Sequence, residues 1–260
     1  MRKCLFSFFL TALPIVLLAQ NLDSMGKYSY LVLTEKGCGK QQATGFFARY
    51  QHRLFFVTAA QSLAGWQAGA QKPGDNVPDT IFIRLSNDTG RISYLPLPVA
   101  NLVKANPPGN SEGPGVYVTE IMNGKNYNVL SIEDFFEDEV PCELAKSVLI
   151  AGYSQPENST DYYRARQQPF TLGTPLENPY CTYTYRPEVK HFDYLHYFAA
   201  GKEKLAAAGL SGAPAYLVAE DASIVFGGMY VGGLREGSGT GMILRPEHVL
   251  NKIKDKIFGR

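Results

Sequence analysis

Two stretches decide how this chain is read. Gly209-Leu210-Ser211-Gly212-Ala213-Pro214 is a glycine-flanked turn that presents a serine, and Phe56-Val57-Thr58-Ala59-Ala60-Gln61 is an apolar run that ends in an amide. A serine hydroxyl is a poor nucleophile until a neighbouring base accepts its proton and N–H groups receive the developing oxyanion. Gly209 gives the backbone the freedom to aim its N–H, with that of Ser211, at one such point. Gln61 works in the opposite direction, because a carboxamide has no proton affinity near neutral pH.

Around these stretches the chain from Tyr28 onward is a succession of short β-type runs punctuated by Gly, Pro and Asn. Strands are expected over 28–34, 44–50, 54–58, 81–85 and 116–121, with Gln51-His52-Arg53 as a hairpin loop. In the second half they are expected over 147–153, 180–185, 213–219 and 225–233. Pro246 opens a segment that carries Val249, Leu250, Ile253 and Ile257 on one face, which predicts a C-terminal helix. The acidic, aromatic stretch 132–139 differs from both flanks and reads as a solvated connection over 132–146.

Composition sets the outer limits. With 25 basic against 24 acidic residues, the chain shows no charge signature of nucleic-acid or membrane-surface binding. Met1-Arg2-Lys3 followed by an apolar run to Ala19 reads as a secretory signal peptide over residues 1–20, too short for a transmembrane span. The expectation is a secreted or periplasmic protein with no later membrane span. Cys38, Cys142 and Cys181 would remain, enough for one disulfide and a free thiol. The pair Cys142 with Cys181 is preferred, although sequence alone does not choose it. No metal-ligand spacing, phosphate-binding loop or dinucleotide fingerprint is present, so no cofactor and no metal are expected.

The serine turn and the Thr58-Ala59-Ala60-Gln61 run resemble the two halves of the active site of trypsin-like (chymotrypsin-fold, PA clan) serine peptidases. There a Gly-x-Ser-Gly-x-Pro turn presents the nucleophile and a Thr-Ala-Ala-His run presents the general base. The resemblance covers most of the mature chain and implies an all-β fold of two six-stranded antiparallel β-barrels with a C-terminal helix. It divides the chain into an N-terminal barrel over 21–131, the connection over 132–146, a C-terminal barrel over 147–245 carrying Ser211, and the helix over 246–260. It also implies that Gly209 and Ser211 supply an oxyanion hole, and that Tyr230, Val231 and Gly232 line the cleft. Residues 205–208 would form an apolar primary pocket or, equally, residues 204–208 a short exposed helix.

Departures from the pattern decide the functional expectation. Gln61 stands at the base position, and Gly115, just before the apolar run Val116-Tyr117-Val118, stands at the position of the orienting acid. Glu112 and Glu120 are near in sequence, but without an imidazole neither has a tautomer to hold. Leu210 occupies the place of the aspartate that activates zymogen-type members, which implies a bacterial-type member without that switch. The leading expectation is a secreted serine protease homologue, catalytically impaired, that acts by binding a protein or peptide. The alternative is an active endopeptidase in which His191 or His196 supplies the base to Ser211. A third reading takes the barrels as a scaffold with the acidic run 133–139 as contact surface.

Overall fold

The computed structural model describes residues 25–36, 39–60, 79–86, 91–99, 115–133, 145–153, 168–172, 195–199, 209–219, 223–233 and 240–259. In chain order the strands of the first half are β1 (Ser29–Lys36), β2 (Gly39–Tyr50), β3 (Arg53–Ala59), β4 (Thr80–Ser86), β5 (Ile92–Pro98), β6 (Val116–Glu120) and β7 (Ser131–Glu133). Those of the second half are β8 (Ala145–Gly152), β9 (Gln168–Leu172), β10 (Leu195–Ala199), β11 (Pro214–Ala219), β12 (Ile224–Gly233) and β13 (Thr240–Leu244), followed by helix α1 (Pro246–Phe258). They make two curled antiparallel sheets, in the orders β5-β4-β1-β2-β3-β6 and β10-β13-β12-β11-β8-β9. This is the expected pair of six-stranded barrels, with one addition: β7 joins the first sheet as a short strand parallel to β2. Ile132 of β7, at the start of the expected connection, pairs with Ala48 and is buried.

β3 and β11 are buried on both faces, which is why they read as nearly continuous apolar runs, whereas edge strand β5 alternates between exposed and buried residues. Along β3, Leu54 and Phe56 point into the first barrel with Val32, Ile81, Leu95 and Tyr117. The alternate residues Phe55, Val57 and Ala59 point into a seam shared with Leu149, Tyr216, Met229 and Val231 of the second sheet. The second barrel has its own interior, formed by Ile150, Phe198, Ala215, Leu217, Tyr230 and Ile243. Helix α1 closes the seam with Val249 and Ile253, and Ile257 packs against the same cluster, as the helical spacing predicts.

The hairpin between β2 and β3 turns on Gln51 and His52 at φ 49 and 63. Two successive positive φ values fit a type I′ turn, whose twist matches that of the flanking strands. Sequence reading misses β5, because Pro96 and Pro98 argue against a strand. The structure supplies the reason: β5 is the edge of its sheet and pairs on one side with β4. β7, β9, β10 and β13 are likewise strands that the local pattern did not mark, and the strand expected over 180–185 lies outside the described residues. No helix among the described residues is long and apolar enough to cross a membrane.

Candidate active site

The serine turn, over residues 209–213, leads directly into β11 of the second barrel. Its backbone reverses through two glycines in the left-handed region, Gly209 at φ 97 and Gly212 at φ 91. Leu210 between them is buried in the second barrel's interior with Ile150 and Tyr230, so its side chain serves packing. Ser211 itself is half-buried.

Hydrogen bonds fix the turn on both sides. From the second barrel, Gly212 N–H donates to Tyr230 C=O at 2.8 Å, Tyr230 N–H to Ala213 C=O at 2.8 Å, and Ala213 N–H to Leu210 C=O at 2.9 Å. From the first barrel, Thr44 N–H donates to Ser211 C=O at 3.2 Å, and Thr44 Oγ1 donates to Gly209 C=O at 2.8 Å. Thr58 Oγ1 donates to Thr44 C=O at 2.7 Å, which ties the turn to the run that ends in Gln61. Contact here is close: a Cβ on Gly212 would lie 2.1 Å from Thr44 O and 2.4 Å from Thr58 Oγ1.

Thr58 and Ala59 are fully buried and Ala60 nearly so. Ala59 pairs with Val116, and the ladder runs one step further as Ala60 N–H donates to Gly115 C=O at 2.9 Å. Gly115 therefore sits across from the residue that precedes Gln61. Gln61 lies outside the described residues, as do Glu112, His191, Cys38, Cys142, Cys181, residues 1–20, residues 134–144 and residues 205–208. Glu120, at the far end of β6, is engaged by the Arg53 guanidinium, with Arg53 Nε donating to Oε1 at 2.7 Å. That bond holds its carboxyl below the usual range.

Tyr230 and Val231 are buried, at 2% and 1% exposure, and Gly232 is half-buried at φ 114 beside an irregularity in the β12–β13 register. Burial pushes the Tyr230 phenol up to about 12. What Tyr230 gives the turn is thus its backbone, which accepts from Gly212 and donates to Ala213. His196 pairs with Ile243, which in turn pairs with Tyr230. Two strand spacings, roughly 10 Å, therefore separate the backbones of His196 and Tyr230. His52 is exposed at its hairpin tip, and His248 lies in the first turn of α1, its pKa lowered by burial.

Sequence reasoning did not find Thr44 or Tyr153, whose N–H donates to Thr44 Oγ1 at 2.9 Å. Their partners are more than a hundred residues away, so no local spacing announces them.

The two barrels and the seam-facing serine turn define a chymotrypsin-like double-barrel fold. Among solved structures the chain is similar to GrC, at 14% identity and a TM-score of 0.53 over 89% of this chain and 94% of that one. It is also similar to the scabies mite inactivated protease paralogue S-I1, at 14% identity and a TM-score of 0.51 over 91% and 97%. No protein-family description matches the chain, and no curated protein does. At these identities the likeness establishes the fold.

Proposed function

We propose that this protein is an exported trypsin-like serine protease homologue that has lost its catalytic base and orienting acid and acts by binding a protein or peptide. The observation that carries the reading is the bond from Ala60 to Gly115. It sets Gly115 beside the residue preceding Gln61, which supports taking Gly115 as the acid position, holding only a hydrogen, and Gln61 as the base position, holding an amide. In a well-studied serine protease, removing the histidine alone costs on the order of 10⁶ in turnover, and about 10³ to 10⁴ over water remains from binding and the oxyanion hole. Ser211, Gly209 and the neighbouring backbone of β12 are kept in this reading as a cleft wall for an extended ligand. Export rests on residues 1–20. A scabies mite protein of the same fold is described as an inactivated protease paralogue, so the fold is compatible with such a role.

The deciding experiment treats the purified protein with a fluorophosphonate and measures intact mass, with Ser211→Ala as control. No labelling of folded protein is the expected result. Stoichiometric labelling confined to Ser211 overturns the reading and returns the chain to the active peptidases, with His191 or His196 the first bases to replace.

A further inference from the structure

We infer that Thr44 is a positioning residue, a single side chain of the first barrel that sets the shape of the Ser211 turn in the second. The inference takes from the proposed function only that this turn is the working surface. Thr44 is fully buried in the middle of β2, on the seam-facing parity shared with Phe46 and Ala48. A buried threonine commonly satisfies its hydroxyl on nearby backbone. This one instead spends it on the other barrel: Oγ1 donates to Gly209 C=O at 2.8 Å and accepts from Tyr153 N–H at 2.9 Å. Its N–H takes the second carbonyl of the turn, that of Ser211, at 3.2 Å.

Peptide planarity makes these two carbonyls more than anchors. Each fixes the direction of the N–H across its own peptide bond. Holding Ser211 C=O directs Gly212 N–H at Tyr230 C=O, and the bond from Ala213 N–H to Leu210 C=O directs Ser211 N–H the opposite way. The Gly209 carbonyl is the member of the set held by a side chain. Gly152 leaves the room the hydroxyl uses, since a Cβ there would lie 3.0 Å from Thr44 Oγ1. Gln42, two residues back on β2, extends the same seam by donating Nε2 to Tyr153 C=O at 3.1 Å. Tyr153 is thereby held at both its N–H and its C=O by neighbouring residues of one first-barrel strand. Docking of the barrels and the shape of the turn are one arrangement, joined at Thr44.

The test is amide hydrogen exchange on the full chain, comparing Thr44→Val, which keeps the shape and loses the hydroxyl, with Thr44→Ser, which keeps it. In Thr44→Val, the amides of Tyr153, Gly212 and Ala213 should exchange about 10- to 100-fold faster relative to the ladder amides shared by β8 and β11, and Thr44→Ser should return them to within about threefold. Should Thr44→Val not fold, Thr44→Ala carries the same expectation. Equal acceleration at all these amides would make Thr44 an ordinary stability residue, and unchanged exchange at Tyr153 would remove its role. Neither result depends on whether Ser211 reacts with a fluorophosphonate, so this inference and the functional reading fail separately.

Discussion

Ala60 donates its backbone N–H to the carbonyl of Gly115 at 2.9 Å, across the last rung between β3 and β6. In our reading Gly115 takes the acid position and Gln61, the next residue after Ala60, the base position, so repair calls for two side chains at one end of this strand pair. Gly115 is not among the glycines with positive φ, and its backbone is open to an ordinary residue.

Repair is accordingly expected to be cooperative. Gln61→His with Gly115→Asp should raise ester hydrolysis over Gln61→His alone by on the order of 10²-fold or more, because a carboxylate fixes the tautomer and orientation of the imidazole. The measurement is kcat/KM on an activated ester, with Ser211→Ala added to each variant as the blank. Equal rates for the single and double variants would mean that Gly115 is not the acid position.

Two glycines in the same backbone region should respond very differently to alanine. At Gly212 the φ of 91 is compounded by a Cβ only 2.1 Å from a backbone oxygen, and Gly212→Ala should cost about 3 kcal/mol or more or abolish folding. At Gly259, which caps α1 at φ 67 with its N–H on Asp255 C=O, a Cβ meets nothing within 4 Å. Gly259→Ala should cost about 1 kcal/mol, the conformational penalty alone. Urea unfolding of both variants makes the comparison, and similar losses would contradict the crowding at Gly212.

How far the site could be read from sequence follows from where its partners lie. The Gly209 to Pro214 turn and the run from Phe56 were legible because their chemistry is local: glycines where the backbone reverses, small residues where strands crowd. The hairpin at Gln51 and His52 and the face of α1 were legible for the same reason, since periodicity and turn composition act over a few residues. Thr44 was not, because its role is defined by Gly209, 165 positions away, and by Tyr153, 109 positions away. β5 was hidden by its prolines, which an edge strand tolerates and a central one does not.

Glu120 should give stability a signature in acid. Hydrogen bonding from Arg53 lowers its folded pKa, so its contribution is complete above the unfolded value and fades as pH falls through the depressed one. The difference in melting temperature between wild type and Glu120→Gln is expected to be steady above the ordinary carboxylate range, to close as pH falls through the depressed folded value, and to shrink with added salt, as partly exposed pairs do. A gap that persisted unchanged to the lowest pH would assign the effect to packing of Arg53 against the Phe55 ring, 5.6 Å from the guanidinium carbon.

Tyr216 offers the opposite case, a polar group that the fold buries without reward. It is 4% exposed in the seam, 6.2 Å from Phe226 between ring centres, and its hydroxyl has no hydrogen-bond partner among the described residues. Burial raises the phenol far above its ordinary range. Tyr216→Phe keeps the ring packing and removes the orphaned group, so stability near neutral pH should be unchanged or higher by about 1 kcal/mol. The pH dependence has a definite sign. Above about pH 10 the unfolded phenol ionises while the folded one stays neutral, which pulls wild type toward unfolding, and the variant should lose less stability over that range. Urea midpoints at pH 7 and at pH 10.5 test both halves with the same two proteins. A loss of more than about 1 kcal/mol at pH 7 would show that the hydroxyl is bonded after all, and the natural candidate would be a water held in the seam.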